Sequence, residues 1–397
     1  MKSLDVLKFG GTSVGNLDSI YSSIGAAESH IRRGNSCLVV VSAMSGITNL
    51  LTDSLSYTNE NSNLLSQIET RHRNVVSVGL SAPENFIANE QLSIEINSLA
   101  TTIEMSRHSS VLSPYISDYI ISAGERLIAP IFASFLRDRG YDARYLDANH
   151  VFATDNQYGN ASAHKYDSIR KMKRHLLPLL KTGGVVVMPG FYGDKFVTFG
   201  RGGSDYSATK AAQLLSSLLH VNGTFLYKAD VDGVMSADPR IVGEDARIVT
   251  HLNYEAAEAL AHSSARILHS RSIEPLKASN IPLYCRNTIN FEAPGTEVCN
   301  SQNSTTSGIK IVTSTVGRLR PTDHSIVLVG NRVTKVDSDK ISTFLRQRLK
   351  EHNITVSSDY DRVNSAGIEI LVESFPQTIS EVIKVVHSIL DDINSEI

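Results

Sequence analysis

Apolar positions along this chain follow two rhythms. Across residues 1–300, short unbroken apolar runs alternate with longer mixed stretches. Leu4–Phe9 is apolar enough for a strand, Gly10-Gly11-Thr12-Ser13 breaks it, and Leu17–Arg32 is long enough for a helix. Cys37–Ser42 (CLVVVS) is apolar without alternation and rich in β-branched side chains, the pattern of a strand covered on both faces. Val185–Met188 repeats that signature. Strand, turn, helix, strand is the grammar of βαβ units, so this part is expected to be α/β, with an open, mainly parallel sheet between helices. Further helices are expected over Tyr119–Arg139, stopped by Gly140, over Tyr166–Lys181, stopped by Gly183-Gly184, and over Ser207–Leu219. Residues 67–108 read as helical but polar, and the Ser- and Asn-rich stretch 52–66 as a connection. Phe225–Tyr227 reads as a strand leading into Asp230-Val231-Asp232-Gly233.

The rhythm changes after residues 287–308 (NTINFEAPGTEVCNSQNSTTSG), a polar stretch rich in turn formers that marks the expected domain boundary. Ile309–Thr313 and Ser325–Val329 read as short strands, the first as an edge strand. Ser338–Glu351 reads as a helix, and Ile354–Ser357 and Ile368–Val372 as strands. Ile379, Val382, Ile383, Val386, Ile389, Leu390 and Ile393 hold a 3.6-residue period, as one amphipathic helix would. The expected organisation is an α/β domain over 1–300 and a small α+β unit over 309–397.

Composition narrows the function class. With 38 Lys+Arg against 41 Asp+Glu and a net charge of -3, the chain lacks the basic excess of a general nucleic-acid binder. Its longest apolar runs are strand-sized, well short of the ~20 residues that span a bilayer. An acidic residue, Asp5, arrives before any apolar run could form a signal peptide. The 3 cysteines, Cys37, Cys285 and Cys299, have no paired spacing, which points to a reducing compartment and a cytoplasmic protein. The 13 histidines form no zinc-type cluster.

Several segments carry possible chemistry. In KFGGTS (Lys8–Ser13), the glycines let backbone N–H groups approach an anion, the following helix adds its dipole, and Lys8 adds a mobile charge. That set suits a transferring phosphoryl group, although a tight strand-helix turn with a solvated lysine explains it equally well. In GRGGSD (Gly200–Asp205), Arg201 is a planar fork suited to a carboxylate. Asp205 could orient a cation or simply cap the next helix. Glu125 in ISAGERL stands where first-turn helix chemistry is an ordinary alternative. Ser42 and Thr48 flank a turn at a strand's carboxyl end, where open α/β sheets bind ligands. DVDGVMSADPR (Asp230–Arg240) offers carboxylates and a guanidinium for a nucleotide, or forms a solvated loop.

Taken together, KFGGTSVG, VVVSAMSGITNLL at 39–51, ISAGERL at 121–127, ATDNQYGNA at 153–161, GRGGSDYSA at 200–208 and DVDGVMSADPR at 230–240 resemble, in order, the motifs of the aspartate kinases. The resemblance implies the amino-acid kinase fold and ATP-dependent phosphorylation of the side-chain carboxylate of L-aspartate, the entry step to lysine, threonine and methionine. By the same resemblance, Lys8 would stabilise the transferring phosphoryl group, and Gly10, Gly11, Thr12 and Ser13 would cradle phosphates. Ser42, Thr48 and Arg201 would hold the substrate's α-carboxylate, and Glu125 would face its ammonium. Asp205 would organise the reacting end and Mg2+, which is expected to arrive through the ATP phosphates. Ala229, Asp230, Met235, Arg240 and Arg266 would stand at the ATP site. Ala229, Met235 and Arg266 stand where many relatives have Thr, Tyr and Lys. The C-terminal unit resembles about one ACT domain, implying a homodimer built through it and weak or absent feedback by lysine or threonine. The residues alone also leave open another amino-acid carboxylate as acceptor, or a catalytically idle amino-acid sensor.

Overall fold

A computed structural model describes residues 3–55, 63–107, 112–263, 268–300, 308–316, 324–331, 335–352, 354, 356–364, 367–372 and 376–395. They form two compact units: Met1–Val231 with Arg286–Ala293, and Asp232–Cys285 with Pro294–Ile397.

In the first unit the strands are β1 (Leu4–Phe9), β2 (Ser36–Val41), β3 (Ala143–Tyr145), β4 (Val185–Pro189) and β5 (Val221–Lys228). They lie in the order β3-β4-β2-β1-β5, every adjacent pair parallel. Every residue of β1, β2 and β4 is buried, which is why these strands show no polar-apolar alternation, although β1 also buries Asp5 and Lys8. The register pairs Phe9 with Val41 and Tyr227, and Val41 with Pro189, so four strands end at one edge. The loops that leave them, at Gly10, Ser42, Gly190 and Lys228, therefore open on one crevice, as open α/β sheets arrange their ligand sites.

Helix Leu17–Arg32 follows β1 as the sequence predicts, with Asn16 accepting from the Ser19 N–H as its N-cap. The expected helix over Tyr119–Arg139 is instead two, Pro114–Ile121 and Ala123–Asp138, jointed at Ser122. The stretch Pro114–Asp138 is long and apolar enough to cross a membrane, but 89% of its most apolar window is buried inside the protein, as a core helix requires. Its Phe132 stacks on Phe9, which stacks on Tyr227, with centroids 5.3 and 5.0 Å apart. Beneath the sheet, Asp5 Oδ2 lies 2.7 Å from His30 Nδ1, and His30 Nε2 lies 2.9 Å from the Tyr227 hydroxyl. Burial works to raise the pKa of Asp5, yet hydrogen bonds from His30, Asn222 and Asn35 hold it below the usual carboxylate range.

The second unit contains β6 (His251–Asn253), the first three residues of β7 (Leu283–Asn287) and β8 (Thr296–Cys299), with β8 parallel to β6 and antiparallel to β7. The polar stretch 287–308 thus carries a strand. Four more strands, β9 (Gly308–Val316), β10 (His324–Asn331), β11 (Val356–Asn364) and β12 (Gly367–Val372), form an antiparallel sheet in the order β11-β12-β10-β9. β9 stands at an edge, as expected. Helices Lys335–Glu351 and Pro376–Ser388 bury Ile341, Leu345, Leu349, Val382 and Val386 with Ile309, Val312, Ile326, Leu328 and Ile368 of the sheet. The final amphipathic stripe breaks at Ile389 into a second short helix, Leu390–Ser395.

Candidate functional site

Lys8 sits one residue before the end of β1, its side chain only 8% exposed, with Nζ 2.5 Å from Asp205 Oδ1. Asp205 occupies the first turn of helix Gly203–Leu215, which the chain enters through Gly202 at φ +72°. Gly11 is packed so closely that a Cβ there would lie 2.9 Å from the Ala43 carbonyl oxygen, so the turn after β1 nests directly on the turn after β2.

Glu125 lies in the first turn of helix Ala123–Asp138 and is 4% exposed. Ser204 Oγ donates to its Oε1 at 3.4 Å, while Oε2 has no hydrogen-bond partner among the described residues. Burial pushes this carboxyl up to about 7, against the pull of the Ala43 and Glu125 amides, the Ser204 hydroxyl and Arg126. A buried acid with an open oxygen is prepared to receive a cation. Arg201, exposed, stands between Gly200 and Gly202, both at positive φ, so the glycines present the guanidinium on a tight turn.

A cavity of about 590 Å3 gathers Lys8, Gly11, Ser42, Thr48, Glu125, Arg201 and Asp205 along its wall. Four stretches distant in sequence meet there because the strand ends share one edge. The cavity places a guanidinium, a buried carboxylate and two hydroxyls beside an ammonium–carboxylate pair. This set can grip both charges of an amino acid while offsetting negative charge on a group in transfer.

Other expected residues lie elsewhere. Ser13, expected to cradle a phosphate, turns inward: its hydroxyl bonds the Tyr227 carbonyl at 3.1 Å and the Thr288 hydroxyl at 2.7 Å. Its amide donates to the Gly10 carbonyl at 2.9 Å, so Ser13 closes the turn, and neither group is available to an anion. The Gly10 N–H donates to the Tyr227 carbonyl at 3.2 Å, and Thr12 is exposed. Ala229 is half-buried and Asp230 exposed just after β5. In the second unit Met235 is half-buried and bridged to Ile248. Arg240 is held by its own helix cap, with Nη2 2.6 Å from Asp238 Oδ2 and Nε 3.0 Å from Oδ1, which keeps the Asp238 carboxyl below its ordinary range. Arg266 lies outside the described residues.

Among the wall residues that sequence reasoning overlooked are Gly159, Phe191, Thr198 and Ser204. Ser204 was within reach, since it stands inside GRGGSD. Phe191 carries no motif; its φ of +75° and its place at the end of β4 are products of the fold.

Comparison with known proteins agrees with this geometry. The Amino acid kinase family profile matches residues 4–287. Lysine-sensitive aspartokinase 3 of Escherichia coli (strain K12) is 32% identical over 306 residues, covering 76% of this chain. The match spans 65% of that protein, so the chain covers just under two thirds of this curated relative. The solved structure of E. coli aspartokinase III in complex with lysine and aspartate, in its T-state, superposes with a TM-score of 0.69 at 25% identity, over 98% of this chain and 83% of that one. Clostridium acetobutylicum aspartate kinase gives a TM-score of 0.74 at 19% identity, over 97% and 100% of the two chains, and speaks for the fold. By its parallel sheet, its shared strand-end cavity and this profile, the chain belongs to the amino acid kinase family.

Proposed function

We propose that this protein is an aspartate kinase, transferring the γ-phosphoryl group of ATP to the side-chain carboxylate of L-aspartate to give 4-phospho-L-aspartate and ADP. The observation that carries this reading is the meeting of Lys8, Glu125, Arg201 and Asp205 on one cavity wall. Arg201 pairs with the substrate α-carboxylate, helped by the hydroxyls of Ser42 and Thr48, and Glu125 receives the α-ammonium. That grip leaves the side-chain carboxylate free to face Lys8. One of its oxygens attacks the γ-phosphorus, the bond to the β,γ-bridging oxygen breaks, and ADP leaves. The attacking oxygen is already ionised, so no general base is needed. The barrier is the approach of two anions, which the Lys8 ammonium offsets along the path of transfer.

Magnesium suits the donor set in a limited way. No three His, Cys, Asp or Glu converge among the described residues, so there is no all-protein cage. Asp205 offers a single carboxylate beside Lys8, fitting an ion whose remaining ligands are phosphate oxygens and water. When bound, such an ion would neutralise phosphate charge. We assign the nucleotide to Gly10, Gly11, Thr12, Ala229, Asp230, Met235, Arg240 and Arg266 on the family resemblance alone.

The same reading divides the chain into a catalytic domain over 1–300 and an ACT-like domain over 309–397. The antiparallel sheet β9–β12 with two helices on its apolar face supports it. Its edge strands and regulatory resemblance make this domain the expected seat of a homodimer. Buried free thiols at Cys37, Cys285 and Cys299 favour the cytoplasm.

The test is ATP turnover with a panel of amino acids, trapping the product with hydroxylamine. Aspartyl hydroxamate formed from L-aspartate and ATP is the expected product. ADP release without hydroxamate, or turnover preferring another amino acid, overturns the assignment.

A further inference from the structure

Asp118 lies in helix Pro114–Ile121, is 3% exposed and is not part of the cavity wall. Its Oδ2 accepts two backbone N–H groups from separate loops, Gly159 at 2.9 Å and Thr198 at 2.7 Å. Both donors line the cavity. The two loops are also tied to each other: the Ala161 N–H donates to the Thr198 carbonyl at 2.9 Å, and a Cβ on Gly200 would lie 2.5 Å from the Gly159 carbonyl oxygen. Arg201 follows directly on this knot. The helix that carries Asp118 runs through the Ser122 joint into the turn that carries Glu125. That joint is stiffened by Arg126, whose Nη1 donates to the Tyr119 carbonyl at 3.0 Å and the Ser122 hydroxyl at 2.7 Å, and whose Nε meets Glu95 Oε1 at 2.7 Å.

We propose that Asp118 is a positioning residue that sets the Arg201 turn at a fixed distance from Glu125, and so tunes amino-acid binding without touching the amino acid. Its surroundings are costly for a carboxylate: burial raises its pKa despite both amide donors. A helix seeking only stability would place an apolar residue here. What the carboxylate supplies is a single acceptor shared by two loops, and both loops carry residues of the cavity wall that also holds Glu125.

The inference rests on the proposed grip of the amino acid by Arg201 and Glu125, so its test separates the two. Wild-type protein inactive toward L-aspartate would overturn that grip and this role with it. With wild-type turnover established, Asp118→Ala is expected to raise the KM for aspartate by about tenfold or more, leaving the KM for ATP within about twofold. Asp118→Asn keeps one acceptor oxygen and is expected to recover most of that loss, with a KM about threefold above wild type. Amide hydrogen exchange gives a reading independent of turnover: in Asp118→Ala, Gly159 and Thr198 should exchange about tenfold faster or more than in wild type. Unchanged aspartate KM, equal loss for aspartate and ATP, or unchanged exchange at those two amides would each overturn the positioning role. Should the alanine variant fail to fold, Asp118→Asn decides alone: a selective rise in aspartate KM supports the role and none refutes it.

Discussion

Lys8 and Asp205 are held 2.5 Å apart with little solvent between them, so each stabilises the charge of the other until a substrate arrives. Removing the ammonium therefore has two consequences. Lys8→Ala leaves Asp205 as a nearly buried carboxylate without its cation, which should lower the melting temperature. It also removes stabilisation that matters most during transfer. Turnover should fall by about 10²–10³-fold while aspartate affinity changes less than about threefold, measured by steady-state kinetics and calorimetry. Glu125 makes a different demand. Its carboxyl is raised from 4.5 to about 7, so the folded protein holds that proton more tightly than the unfolded chain does. The stabilisation this gives is complete below the unfolded value and is lost as pH rises through the folded one, a change of about 3 kcal/mol. The ligand-free protein should therefore lose stability as pH climbs from 4.5 to 7, and Glu125→Gln should flatten that slope. Aspartate binding runs the other way, because its ammonium needs the ionised carboxylate. Below pH 7 the aspartate KM should rise by about tenfold per unit of acidification, and the Gln variant should lack that dependence.

At the scale of elements, the site depends on how closely the strand-end turns approach the helix carrying Glu125. Gly124 shows the tolerance: a Cβ there would stand 2.5 Å from the Ala43 Cβ and 3.2 Å from Ile47 Cγ2. Neither contact is a flexible tip, so Gly124→Ala must push the helix from the turn, at about 1–3 kcal/mol. The neighbouring Glu125 moves with it. The aspartate KM should rise about tenfold, and a variant with wild-type KM would show that this approach is not limiting. Elements of this kind were partly legible in the sequence. β1 and helix Leu17–Arg32 emerge at their expected bounds because an apolar run, a glycine break and a long mixed stretch all agree locally. The joint at Ser122 was only half legible: one helix was expected over Tyr119–Arg139, yet Glu125 was also placed in a helix's first turn, and the break is held by Arg126 contacts to Glu95 and Tyr119 that no local pattern shows. Helix Gly203–Leu215 begins earlier than expected because Gly203, one of the glycines that looked like its entry turn, is already its first residue, while Gly200 and Gly202 before it are left-handed.

At the scale of the whole molecule, the motif order foretold which residues meet, while the contacts that align them had no sequence signature. Lys8, Arg201, Glu125 and Asp205 each belong to a recognisable string, and the common edge of the parallel sheet brings the strings together. Asp118, Phe191 and Thr198 act through backbone amides and turn geometry, which composition and period do not encode. Ser13 shows the converse: a residue inside the strongest motif whose groups are consumed by Tyr227, Thr288 and Gly10. Every wall residue of the strand-end cavity lies in the first unit, whereas Leu345 is buried in the core of the second with Ile326, Val382 and Val386. Leu345→Ala should cost that core about 2–5 kcal/mol through lost contacts and a cavity. If the grip on aspartate belongs to the first unit, titration calorimetry should find affinity within about threefold of wild type, although the second unit melts earlier in a thermal scan. An affinity loss as large as that of Gly124→Ala would mean that the C-terminal core shapes the amino-acid pocket from a distance, and the assignment of binding to strand ends alone would fail.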